Sequence, residues 1–349
     1  MKKQRSVAHP WLPSVFVFTL LLYSSSLFAQ NDPPIPTHWT FQTRVSTPGY
    51  KGTAKFPYFP SVLVNGRGEL LDARKVAPKA KQPGLLAISE DHGGSKHSGI
   101  HLYTFSPNRP DKLTLLSVVR SPVSGNHMET PWLFIRPQDG KLCMTAHVSG
   151  DGGQVTILMS TEDGVNWTHE GTAIPIGGKH GHTGYARGYI HNGKITYVSL
   201  NRGGGNPTWR ISQDRDGDGV DAKMVGDPFT YFNKTKGRGT EPPPHQIIRR
   251  GNQFLGFFLR KQLGSHGGSI GNATLLLHRY KKSKANNYAD LFRHIAEPGH
   301  VLIKPGENKY VHDGVTSACV FHFQNNWYMY VAGRGKKGNN HLLIYTGSN

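Results

Sequence analysis

The sequence predicts an all-β chain, a β-propeller of four-stranded antiparallel blades, on three observations. No helical period runs through residues 30–349, and short β-rich runs are separated by turns in a chain that carries 42 Gly and 23 Pro. Asn-Gly, Asp-Gly and related steps join these runs into hairpins. The hairpin recurs five times, at spacings of roughly 55 to 75 residues, as expected of a repeated sheet unit. Sheets arranged radially around a channel leave only short, protected edges.

The five hairpins follow in order. Ser61 to Val64 turns at Asn65–Gly68 into Leu70-Leu71, and Trp132 to Ile135 turns at Gln138–Gly140 into Leu142 to Ala146. Gly188 to Ile190 turns at Asn192-Gly193 into Ile195 to Leu200. Gln246 to Ile248 turns at Gly251-Asn252 into Phe254 to Leu259. Ala318 to Phe323 turns at Asn325-Asn326 into Trp327 to Ala332. Val155 to Met159 and Ala273 to His278 supply outer strands. Ser160-Thr161-Glu162-Asp163-Gly164-Val165-Asn166-Trp167 resembles the Asp-box of sialidase-like propellers, a turn between outer strands, with a degenerate echo at Ser212 to Val220.

Residues 1–29 read as a secretory signal peptide: Lys2, Lys3 and Arg5, then an apolar stretch from Val15 to Phe28, with a cut after Ala29. Residues 30–349 are then a single propeller domain, secreted to an extracellular or periplasmic space. No later segment is apolar for long enough to span a bilayer, so no membrane partner is expected. The formal charge of +19 favours a polyanion. Export argues against nucleic acid, which leaves an acidic or sulfated polysaccharide. Cys143 and Cys319 are the only cysteines, which excludes a disulfide-stapled scaffold and points to burial. Oligomeric state has no signature in the sequence.

The hairpin repeat locates the chemistry. Residues leaving the second strand are Arg74, His147, Arg202, Arg260 and Arg334. The starting side of the first strand adds His127, Glu129, His182, Tyr185, His245, His312 and Asp313. One face should therefore carry a ring of Arg, His and Tyr with few carboxylates. A glycosidase of the usual kind needs two carboxylates flanking the bond, and nothing marks Glu129, Glu241 and Asp313 as containing a matched pair. β-Elimination from a uronate suits the ring better: arginine stabilises the enolate-like carboxylate, while His or Tyr moves the proton. The Arg of Phe134-Ile135-Arg136-Pro137 lies beside a turn, unlike the arginine strand of a sialidase.

Over Asn126 to Ser212 the chain resembles the β-propeller ulvan lyases among the BNR-like proteins. The likeness rests on Asn126-His127-Met128-Glu129-Thr130-Pro131, Gly140-Lys141-Leu142 with His147, and Tyr197-Val198-Ser199-Leu200-Asn201-Arg202-Gly203-Gly204. It implies up to seven blades and a lyase that cleaves an ulvan-like uronan. It also implies a catalytic set of His127, His147, Tyr185 and Arg202, with Tyr189 competing for the Tyr role. Arg74, His182, Tyr189, His245, Arg260 and Arg334 are expected to bind substrate. Two other readings stand beside the lyase: a sialidase-like or other propeller glycoside hydrolase, and a non-catalytic propeller that binds acidic glycans.

No cofactor is needed for this chemistry; the resemblance implies a structural metal in some members, here a calcium or zinc ion. Cys319 and His322, with His278 and His294, give one weak candidate set. Asp214, Asp216, Asp218 and Gly219 match the start of a calcium loop, but the twelfth position is Val225 where a bidentate acid is expected.

Overall fold

The structure is a computed structural model. It describes residues 34–348 apart from 51–55, 92–97, 123–126, 151–152, 177–180, 202–207, 226–243, 251–252, 262–267, 282–287 and 296–299. Residues 1–33 are a separate unit, so the signal peptide expected over 1–29 lies outside the described residues.

The chain opens with β1 (His38–Arg44) and then builds four-stranded sheets in sequence order. Blade 1 is β2 (Tyr58–Val62), β3 (Gly84–Ser89), β4 (Ile100–Ser106) and β5 (Arg109–Val119). Blade 2 is β6 (Met128–Ile135), β7 (Leu142–Gly150), β8 (Gly153–Thr161) and β9 (Thr168–Ile174), with the two-residue β10 (Gly181–His182) added parallel to β8. Blade 3 is β11 (Arg187–His191), β12 (Lys194–Asn201), β13 (Thr208–Asp214) and β14 (Lys223–Met224). Blade 4 is β15 (Gln246–Arg250), β16 (Gln253–Lys261), β17 (Gly268–Lys281) and β18 (Tyr288–Ile295), with β19 (His300–Ile303) also pairing β17. Blade 5 is β20 (Gly314–Phe323), β21 (Asn326–Arg334), β22 (Asn340–Ser348) and, outermost, β1. The first strand thus completes the last blade and ties the two ends of the ring together. Among the described residues there are five blades, the number visible in the sequence and not the seven implied by the resemblance. Among the described residues helix is confined to three short 3-10 turns.

Each blade packs its apolar faces on its neighbours, so the core is a series of inter-blade layers. Leu63, Leu85 and Leu102 meet Leu133, Met144 and Ile157 between blades 1 and 2. Cys143 lies in the layer between blades 2 and 3, and Cys319 in the layer between blades 5 and 1. Both are buried and free, and burial pushes each thiol up to about 12. The innermost strands touch both neighbours, so β2 and β20 are buried almost throughout instead of alternating.

The Asp-box reading holds: the turn joins β8 to β9. Asp163 Oδ1 accepts from the Val165 and Asn166 amides at 2.8 Å each, and Trp167 Nε1 donates to Gly164 O at 3.4 Å.

The first hairpin departs from expectation. β2 pairs with β3, not with Leu70-Leu71, and Leu70 makes only an isolated bridge to Val64. The tight turn is real, since the Asn65 side chain accepts from the Arg67 and Glu69 amides. Its returning arm binds other blades instead: Leu70 N donates to His322 O, His322 N to Gly68 O, and Arg249 N to Gly66 O. The loop is therefore pinned under blades 4 and 5. Gly68, at φ +81, lies where a Cβ would sit 3.3 Å from Ile248 and 3.4 Å from Trp327. Above this loop the inner strands of all five blades enclose a mainly apolar cavity of about 250 Å³, lined among others by Ser61, Trp132, Gly188, Tyr189 and Cys319.

Candidate functional site

At the end of the channel where the inner strands begin, blades 1 to 3 share a backbone device. Phe59, Thr130 and Tyr185 are non-glycine residues with φ of 47°, 58° and 57°. In blades 1 and 2 the residue is followed by proline and forms a bulge, between Tyr58 and Ser61 and between Glu129 and Trp132. Such conformations are costly for non-glycine residues and tend to gather at functional sites. Neighbouring blades hold them in place: Thr130 N donates to Ser89 Oγ at 2.9 Å, and Phe59 N to Ser317 Oγ at 2.8 Å.

The bulge in blade 2 sets Glu129 directly across from His147, with both side chains on one face of the pair. Each is 1% exposed, and His147 Nδ1 lies 2.9 Å from Glu129 Oε1. A carboxylate only accepts, so the imidazole proton sits on Nδ1 and Nε2 carries the lone pair. That Nε2 is buried and has no hydrogen-bond partner among the described residues.

Three more rings surround His147. His127 is at the rim, with Nε2 3.9 Å from Glu129 Oε1 and its ring 5.9 Å from that of His147. His182 accepts the Gly184 amide on Nδ1 at 2.9 Å, which places its own proton on Nε2, and its ring centroid is 4.9 Å from His147. Tyr185 stacks on His182 at 5.5 Å and lies 5.4 Å from His147. Gly184 permits this crowding, because a Cβ there would lie 2.5 Å from His182 and 2.7 Å from His147. Phe59 reaches across from blade 1 to Tyr185 at 5.8 Å and to His245 at 6.1 Å.

Arg187 forms the floor. Its guanidinium is 1% exposed and donates to Thr130 O, Ala186 O and His245 O, each at 2.9 Å, so one side chain joins blades 2 and 3 to the segment leading into blade 4. Burial pushes its pKa down to about 9, partly offset by the Glu129 charge it faces. The group stays protonated at neutral pH and acts as the buried countercharge to Glu129.

Of the residues singled out in the sequence, His127, His147, His182 and Tyr185 come together. His245 joins them through Phe59 and Arg187, and its Nδ1 accepts from the Ala318 amide at 3.3 Å. Tyr189 does not: it is buried further along β11, lines the cavity and packs on Phe254 at 4.7 Å. Arg74 is also displaced, because the blade 1 position matched to His147 is Ser89; Arg74 is an exposed 3-10 residue paired with Asp72 at 2.7 Å. Arg202 lies outside the described residues. The Leu200 amide donates to Gly184 O, so in register Leu200, not Arg202, corresponds to His147. Arg260 is on β16, but its side chain is outside the described set. Arg334, opposite Gly314, is the blade 5 counterpart of His147.

Cys319 and His322 do not form a metal pair. They are three apart on a strand and point to opposite faces, Cys319 into an inter-blade core and His322 onto Trp327 at 4.9 Å. The carboxylates of Asp214, Asp216 and Asp218 are close together, but Asp214 already accepts from the Asp216, Gly217 and Gly219 amides as an acidic turn. Arg136 is structural: it chelates Asp139 at 2.9 and 2.6 Å and reaches Glu170 at 3.4 Å.

Sequence reading missed the pairing of Glu129 with His147 and the role of Arg187. Aligning Tyr58-Phe59-Pro60-Ser61 with Glu129-Thr130-Pro131-Trp132 would have exposed the shared bulge and the inward position of Glu129. Arg187 leaves no comparable trace.

No protein-family model matches the chain, and no curated protein matches it. Solved structures do. An N-acetylgalactosamine deacetylase from F. plautii, in complex with a blood group B trisaccharide, superposes with a TM-score of 0.57 at 10% identity, over 90% of this chain and 95% of that one. A thermostable family-43 glycoside hydrolase gives 0.55 at 15% identity, covering 86% and 91%. An arabinanase from Bacillus subtilis gives 0.50 at 13% identity, covering 84% and 94%. At these identities the shared property is the propeller fold. The resemblance to ulvan lyases, and with it the lyase activity, is overturned: the matched propellers are hydrolytic, and the described residues form five blades.

Proposed function

We propose that this protein is a hydrolase acting on a carbohydrate chain, with its reaction centre at Glu129, His147, His182 and Tyr185. The observation that carries the reading is the buried Glu129–His147 pair at the mouth of a five-bladed propeller whose structural matches include glycoside hydrolases. His147 Nε2 is placed to take a proton from water while Glu129 steadies the imidazolium. His182, with its proton on Nε2, and Tyr185, both packed against the His147 ring, are the donors for a departing oxygen. Cleavage of a glycosidic bond is the first reading. Asp91, buried two residues beyond β3, and Asp313, just ahead of β20, supply further carboxylates at the starting ends of blades 1 and 5.

A second reading, removal of an acyl group from a sugar, is favoured by one feature. The centre holds one buried carboxylate among imidazoles and shows no carboxylate pair among the described residues, and acyl hydrolysis needs only a base and a proton donor. The two readings separate on product, new reducing ends against free carboxylic acid.

The charge of +19 supports an acidic glycan as the substrate, and residues 1–29 support action outside the cytoplasm. Activity against a panel of acidic, neutral and acetylated glycans tests the proposal. New reducing ends or released acetate from an acidic member support it. Inertness towards the whole panel contradicts it.

A further inference from the structure

His127, Glu129 and His147 each offer a ligand atom, and these atoms lie within 4.8 Å of one another. Glu129 Oε1 is 2.9 Å from His147 Nδ1 and 3.9 Å from His127 Nε2. In a tetrahedral zinc site, ligand atoms about 2.1 Å from the ion stand about 3.4 Å from each other, so the observed separations bracket that spacing. Two imidazoles and one carboxylate form a donor set for a borderline transition ion and a poor one for calcium or magnesium, which favour oxygen ligands.

We infer that His127 Nε2, Glu129 Oε1 and His147 Nδ1 bind one divalent transition ion, zinc by chemistry, at the channel mouth. The ion takes the place of the proton between Glu129 and His147, and that proton passes to His147 Nε2 as the neutral ring changes tautomer. Burial favours the exchange: a carboxylate and an imidazole that are both 1% exposed gain a divalent charge in place of the hydrogen bond between them. The rim position of His127 gives the ion a route in. Three protein ligands leave one tetrahedral position for water, the arrangement of catalytic rather than structural zinc. The use of that water rests on the hydrolase reading, whereas the binding of the ion does not. With the ion bound, His147 carries its proton on Nε2, and the metal-held water replaces the free one as nucleophile.

The experiment is metal analysis of the full chain after exhaustive chelation, titration with Zn²⁺ and dialysis, repeated with Co²⁺ as a visible-absorbing probe. The expected result is one ion retained per chain, with the intense visible bands of tetrahedral Co²⁺. Affinity should fall as the solution is acidified. His127→Ala and Glu129→Gln should each weaken binding by at least about tenfold. His127 lies at the rim, so its variant tests the site even if Glu129→Gln fails to fold. Absence of stoichiometric binding, or folded variants that bind like the wild type, overturns the inference. Hydrolysis by ion-free protein would overturn the catalytic use of the ion and leave the hydrolase reading intact. Stoichiometric binding by a protein inert towards every glycan would do the reverse.

Discussion

Glu129 and His147 face each other across the first two strands of blade 2, 2.9 Å apart and each 1% exposed, with the Arg187 guanidinium as the nearby buried cation. The charge on Glu129 decides which His147 nitrogen holds the proton, or which holds an ion. Glu129→Gln preserves the shape and removes that charge. Turnover should fall by about 10²–10⁴ in kcat, the range seen when a buried orienting carboxylate is neutralised, with a small change in KM. Steady-state kinetics of the folded variant check this.

Gly184→Ala tests the packing of the imidazoles. The added methyl would meet His182 at 2.5 Å and His147 at 2.7 Å, so both rings must move. A displacement of about 1 Å at a reacting group can cost about 10²-fold in rate. The variant should lose at least tenfold in kcat, on the order of that estimate, while thermal unfolding shifts little. Unchanged kcat would show that His182 and His147 do not act together.

Removing the Arg187 side chain leaves three carbonyls from three segments without their donor and Glu129 without its buried countercharge. Arg187→Met should destabilise the fold by about 3 kcal/mol, as expected for breaking a buried charge network, and denaturant unfolding measures it.

Arg136 governs acid tolerance. Its guanidinium holds the Asp139 carboxyl below the usual range, while the Ser160 hydroxyl and then Arg136 do the same for Glu170. A carboxylate whose folded pKa is depressed stabilises the fold above its unfolded pKa of about 4, and that contribution is lost as pH falls through the folded value. Arg136→Met should therefore raise the pH of acid unfolding and cost about 1–3 kcal/mol at neutral pH. Circular dichroism across an acid titration reads both.

Most of the fold was legible because the propeller writes itself as a local repeat. Four of the five hairpins have their turns between paired strands, and the Asp-box at Ser160–Trp167 joins β8 to β9 as its composition implies. The Asn65 turn misled because a short apolar arm, Leu70-Leu71, fits a hairpin equally well. Only the blades that receive it, through His322 and Arg249, distinguish a plug from a strand. The site was half legible. His127, His147, His182 and Tyr185 share an end of the blades and so fall out of the repeat. Arg74 was carried to the wrong place by the misread hairpin. Arg187 sits inside an inner strand, where nothing local marks a residue whose three acceptors come from separate segments. The reaction type was misjudged because basic residues at strand ends were counted without the buried carboxylate beneath them.

The most direct test is the mass of the products formed from a defined acidic oligosaccharide, unmodified or O-acetylated, by the wild type beside Glu129→Gln. Hydrolysis adds one water for each bond broken, so the wild type should give fragments, or a deacylated sugar and its acid, whose masses sum to substrate plus water, and the variant should give almost none. Fragments that sum to the substrate mass alone, or equal turnover by Glu129→Gln, would contradict a hydrolase centred on Glu129 and His147.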